Sequence, residues 1–126
     1  NASTDCYFTK PEWYEPARPL FKKYIPLIRT IARAGWQPVT RAASGDPAVL
    51  LERFGEPGDG TVYLTALNDS PEPRTAHITV DLAALGWDTP PRVTEMLSGA
   101  DTAPGDNATI PLALAPEQAV LLRFTR

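Results

Sequence analysis

After Gly35 the hydrophobic period of the chain changes, and that change limits what the chain can fold into. Before it, "ARPLFKKYIPLIRTIARAGW" (17–36) follows the 3.6-residue period of an α-helix. At about 100° per residue, Leu20, Phe21, Tyr24, Ile25, Leu27, Ile28, Ile31 and Ala32 fall on one broad arc. Lys22, Lys23, Arg29, Thr30 and Arg33 fall on the other. Pro19 suits the first turn, where a missing N–H costs nothing, and Gly35 suits the C-terminal cap. Pro26 lies inside the helix on its polar side, where it is expected to bend the axis without interrupting the apolar arc. An arc this broad calls for burial against a large surface.

Beyond Gly35 the period is two. "RTAHITVDL" (74–82) places Ala76, Ile78, Val80 and Leu82 on one face and Thr75, His77, Thr79 and Asp81 on the other. "AVLLERF" (48–54), "TVYLTALN" (61–68), "RVTEMLSG" (92–99), "ATIPLAL" (108–114) and "AVLLRFT" (119–125) are further short runs rich in strand formers. Turn chemistry separates them: "GEPGDG", "NDSPEP", "DTPP", "SGADTAPGDN" and "APEQ". "DLAALGW" can close one helical turn, with Asp81 as cap and Gly86 as stop. The expected fold is mainly β, a small antiparallel β-sandwich preceded by an irregular aromatic-rich segment and one amphipathic helix. The division falls at 1–36 and 37–126. The 14 prolines sit mostly between apolar runs, as in a loop-rich β body.

A net charge of −3 gives no basic footprint for nucleic acid or an anionic membrane. No apolar run approaches the roughly 18 residues of a membrane span, so a soluble chain is expected. "NASTDCYFTKPEW" has neither the basic nor the apolar region of a signal peptide. Cys6 is the single cysteine, which excludes an intrachain disulfide and a cysteine-based zinc cluster. "NAS", "NDS" and "NAT" match the glycosylation pattern, a weak signal in a chain rich in small polar residues.

No constellation reads as a catalytic or metal centre, and no cofactor is implied. His77 is the single histidine and lies on the polar face of its strand. Asp5, Glu12 and Glu15 group in the first segment, and Asp69 and Glu72 in a turn; carboxylates in loops are usually solvated. Trp36, Trp87 and Tyr63 are candidates for a sugar-stacking platform. Against that, Trp36 can plug the joint between helix and sandwich while Trp87 covers the sandwich end. Tyr7, Phe8, Trp13 and Tyr14 crowd the first segment, and Trp13 and Tyr14 are expected to lie on something.

The order of a final amphipathic helix, "AGWQPVTRA", then "ERFG", "VYLTALNDS", "VTEMLSG" and "LAPEQAVLLRF" resembles the C-terminal end of a (β/α)8-barrel glycoside hydrolase. It is similar there to the C-terminal domain of α-amylase-like enzymes, over roughly residues 16 to 126. The resemblance implies an accessory sandwich with a structural role and no activity of its own. It implies a helix built to lie on a barrel outside this chain, or else on the sandwich or a second copy. Because barrel connections sit on the catalytic face, Asp5, Tyr7, Trp13 and Tyr14 become candidates for substrate contact at the rim. Two other readings stay open: a free-standing carbohydrate-binding module, and a protein-interaction domain that docks through the helix face.

Overall fold

Alternation along the strands sorts the chain into two layers. The computed structural model describes residues 11–126, without the side chain of Trp13. Helix α1 (Pro11–Tyr14) and a 3₁₀ turn (Glu15–Ala17) lead into α2 (Arg18–Ala34). Nine strands follow: β1 (Trp36–Gln37), β2 (Ala42–Ser44), β3 (Val49–Phe54), β4 (Thr61–Asn68), β5 (Arg74–Val80), β6 (Arg92–Glu95), β7 (Asp101–Thr102), β8 (Thr109–Leu114) and β9 (Ala119–Thr125). One sheet has the order β1-β3-β4-β9-β6-β7 and the other β2-β5-β8. Every pairing is antiparallel.

The expected sandwich is present, and its core lies between the sheets. Val62, Leu64 and Ala66 of β4 and Val120, Leu122 and Phe124 of β9 meet Ala76, Ile78 and Val80 of β5 and Ile110 and Leu114 of β8. His77 and Thr79 point away and are exposed, as the alternation requires. "GEPGDG" does join two paired strands, β3 and β4, through a 3₁₀ turn at Pro57–Asp59. In "DLAALGW", Asp81 Oδ1 accepts from the Ala84 N–H at 3.0 Å, and Gly86 turns the chain at φ 72°. These residues form a hydrogen-bonded turn and not a helix.

Asn68 ties the two layers at one end. Its side chain is fully enclosed. Its amide N–H groups donate to the Glu72 carbonyl at 2.7 Å and the Ala115 carbonyl at 3.0 Å, and its Oδ1 accepts from the Ser70 hydroxyl at 2.7 Å. It therefore fixes the β4–β5 and β8–β9 turns together. The same enclosure removes the "NDS" match as a glycosylation acceptor.

Several expectations need correction. β1, β2 and β7 are too short to show a period, and pairing alone defines them. The run "RVTEMLSG" stops being a strand at Glu95. There the Glu95 carboxylate turns back to accept from the Leu97 and Ser98 N–H groups at 2.9 and 2.7 Å. Burial opposes ionisation of Glu95, but the Ser98 hydroxyl, the two N–H groups and nearby Lys23 outweigh it and hold the carboxyl below its ordinary range. Part of the segment expected to be irregular is helical at Pro11–Tyr14; residues 1–10 lie outside the described residues.

Two measurements check this fold. Ile78→Ala is expected to cost about 2–5 kcal/mol in urea unfolding, as for other buried aliphatic truncations. His77→Ala, one residue away on the exposed face, should change stability by less than about 0.5 kcal/mol. Equal losses would mean the register is wrong. A carboxyl with a depressed native pKa stabilises the fold above its unfolded pKa and loses that contribution as pH falls through the native value. The stability difference between wild type and Glu95→Gln should therefore be full at about pH 6 and shrink towards about pH 3. A difference that is flat across this range contradicts the cap.

Candidate functional site

α2 lies on the outer face of the six-stranded sheet and has three sides. Leu27, Thr30, Ile31 and Ala34 are half-buried and face the sheet. Phe21, Ile25, Ile28 and Ala32 are exposed on a second, apolar side. Arg18, Lys22, Arg29 and Arg33 make a basic strip on the third, and the helix carries no acidic residue. None of its described residues is fully buried, so the sandwich alone does not cover the apolar arc. The arc spans two surfaces at an angle, and the sandwich meets one of them. Pro26 does stand inside the helix, where its carbonyl accepts from the Thr30 hydroxyl at 2.9 Å.

The joint between helix and sandwich is built from backbone. Gly35 ends α2 at φ 88°, and its N–H donates to the Ile31 carbonyl at 3.0 Å. Its carbonyl accepts from the Gly55 N–H at 2.8 Å. Gly55 sits at φ 97°, and a Cβ there would lie 3.1 Å from the Thr61 carbonyl and 3.7 Å from Ala34 Cβ. A side chain there would crowd the Thr61 carbonyl and is disfavoured by the positive φ itself. Arg53, buried on the inner face, donates to the Val39 carbonyl at 3.0 Å and the Gly55 carbonyl at 2.9 Å. Burial works against its charge, and Glu56 offsets part of that.

Between α2 and the sheet runs an apolar cleft of about 160 Å³, lined chiefly by Leu27, Ile28, Ile31, Leu97, Ala119 and Leu121. Leu97 and Leu121 carry no site signal as single residues. Their trace in the sequence is the run Val120–Leu121–Leu122, which breaks the period of two and is buried throughout. A strand that is apolar on both faces needs cover on both.

A second feature is a row of side chains across the outer face. Trp36, Phe54, Tyr63, Arg123, Thr94 and Asp101 are successive Cα partners from β1 to β7. Directly opposed residues share a face. Trp36 is 58% exposed, so it does not plug the joint; Tyr63 is half-buried. The Thr94 hydroxyl donates to Asp101 at 2.7 Å, and Arg92 also bonds Asp101. The Thr94 hydroxyl and the Arg92 guanidinium hold the Asp101 carboxyl below its ordinary range.

The structure brings Trp36 and Tyr63 to one face and takes Trp87 away from them. Trp87 is 3% exposed in the core, and its indole N–H donates to the Pro57 carbonyl at 3.3 Å. With no free ring face it cannot stack on a sugar. Tyr14 is half-buried between α1 and the 3₁₀ turn. Asp5, Tyr7 and the side chain of Trp13 lie outside the described residues. Among those residues no three His, Cys, Asp or Glu side chains gather to hold a metal. No helix among them is long and apolar enough to cross a membrane.

Comparison with known proteins places this architecture. The family described as "Alpha galactosidase C-terminal beta sandwich domain" matches residues 54–124. A Bacillus halodurans protein assigned as an alpha-N-acetylgalactosaminidase is similar in structure at a TM-score of 0.55, with 13% identity over 73% of this chain and 21% of that one. A GH27 β-L-arabinopyranosidase of Geobacillus stearothermophilus (14% identity, 64% and 18% of the two chains, TM-score 0.49) is also similar. So is a Bacteroides fragilis protein assigned as an alpha-galactosidase (13% identity, 64% and 17%, TM-score 0.47). No curated protein matches the chain. The chain spans about a fifth of the length of these structures. The likeness to an α-amylase-like domain is corrected: the motifs behind it describe an antiparallel sandwich, and the family that matches that part of the chain is the α-galactosidase one. The chain belongs to the C-terminal β-sandwich domain family of α-galactosidases.

Proposed function

We propose that this chain closes and stiffens the catalytic barrel of a glycoside hydrolase acting on α-linked galactose or N-acetylgalactosamine. The observation that carries the reading is the open apolar side of α2. Phe21 and Ile25 are 50% and 39% exposed, yet the helix is already seated on the sandwich through its other apolar side. A helix with two apolar sides at an angle suits the junction of two bodies. The family description supplies the second body, the rest of a galactosidase. In this reading residues 1–36 end the barrel unit and 37–126 are the sandwich. The reacting groups belong to the barrel, and Asp5, Tyr7, Trp13 and Tyr14 lie at its rim. The role of this chain is mechanical: it covers apolar barrel surface and fixes the last helix through the Gly35–Gly55 joint.

One observation favours a second reading, glycan binding by the sandwich itself. Trp36, Phe54 and Tyr63 stand side by side on three neighbouring strands, and aromatic faces stack on sugar rings.

Two experiments separate these readings. Mixed with the separately produced barrel portion of its parent enzyme, the wild-type chain should bind, and Ile25→Asp should weaken binding by at least about tenfold. Because Ile25 is exposed, the variant should keep the thermal midpoint of the isolated chain; unchanged binding would sink the barrel-closing role. In affinity electrophoresis through galactomannan, the barrel-closing reading expects no retardation. Retardation that Trp36→Ala abolishes would establish the binding module instead.

A further inference from the structure

Ile28 belongs to two surfaces at once. It lines the cleft between α2 and the sheet, and it is 57% exposed on the open side of the helix. Whatever covers Phe21, Ile25 and Ile28 therefore also caps the mouth of the cleft. The cleft walls are almost wholly apolar, from Leu27, Ile28 and Ile31 on the helix to Leu97, Ala119 and Leu121 on the sheet. Its volume of about 160 Å³ is close to that of cavities with such linings that stay dry and accept a benzene molecule (about 150 Å³).

We propose that this cleft is a socket for one phenyl- or leucine-sized side chain projecting from the catalytic barrel. The inference rests on the barrel-closing role and adds where the two bodies lock. Two observations favour the barrel over a second copy of this chain. This chain covers 21% of the Bacillus halodurans protein of similar structure, most of whose length lies outside the matched part. The open side of α2 is also bordered by the basic strip of Lys22, Arg29 and Arg33, with no acidic residue in the helix; Arg18, at its start, pairs with Glu15 at 3.4 Å. A symmetric pair meeting through this face would bring two basic strips together, and like charges across an interface are unfavourable.

The test fills the socket from within. Ala119 is exposed at the start of β9 and lines the cleft, so Ala119→Phe places a ring where the barrel's side chain would enter. Ala119→Leu is the smaller filler, to be used if the first variant does not fold. Binding of the barrel portion to each chain is measured by calorimetry, and self-association by light scattering. The expected result is a chain with an unchanged or raised thermal midpoint, monomeric before and after substitution, whose affinity for the barrel falls at least about tenfold. Ile25→Asp separates this from the broader reading. If wild type binds, Ile25→Asp does not and the filled variants bind as wild type, the socket is wrong while the barrel-closing role stands. If wild type does not bind the barrel, both fail. If wild type is a dimer that Ala119→Phe splits, the occupant is a second copy and the proposal is overturned.

Discussion

The pairing of β4 with β9 sits at the middle of the six-stranded sheet, and β9 needs cover on two faces. Val62, Leu64, Ala66, Val120, Leu122 and Phe124 point inward to the three-stranded sheet. Leu121, opposite Thr65, points outward and is still only 5% exposed. Apolar area removed from water is worth about 25 cal/mol per Å². A strand pair of this composition is therefore stable only if something also lies on the outer face. α2 supplies that cover, and the layering of the molecule follows from it.

That arrangement makes the helix a shared element. Its sheet-facing side is held by Leu27 and Ile31 and by the backbone joint at Gly35 and Gly55. Its second apolar side is surplus to the needs of the sandwich. Exposed aliphatic residues scattered singly need no explanation, but Phe21, Ile25 and Ile28 stand together on one side of one helix. In the proposed reading, that surplus is what seats the barrel of the larger enzyme. The basic strip beside it keeps the third side in water.

Polar groups inside the molecule fix geometry at its ends. Asn68 binds two turns that each cross between the sheets, and Arg53 gathers the carbonyls of Val39 and Gly55 beside the helix joint. Of the carbonyls they reach, that of Gly55 is buried, and leaving it unpaired would cost about 1–3 kcal/mol. Both lie on strands whose neighbours are apolar, so the polar side chain at an inward position is itself the sign of a turn or joint needing a clamp.

The elements and their inner faces follow from the residue pattern alone. Alternation over Ala76, Ile78 and Val80 and the runs of β4 and β9 leave one way to hide the apolar face, and Gly35 leaves one place for the helix to end. The resemblance to a barrel-enzyme tail was also legible there, though its family was not, because the motifs that carried it describe architecture. Which strands are neighbours emerges only in the packed molecule. Packing therefore sets the row from Trp36 to Asp101, the removal of Trp87 into the core, and the cleft shared by Leu97, Leu121 and Ile28. The physical reason is distance along the chain. Periodicity reports which way a side chain points from its own element, whereas these features join residues tens of positions apart, whose meeting depends on strand order and on where α2 crosses the sheet.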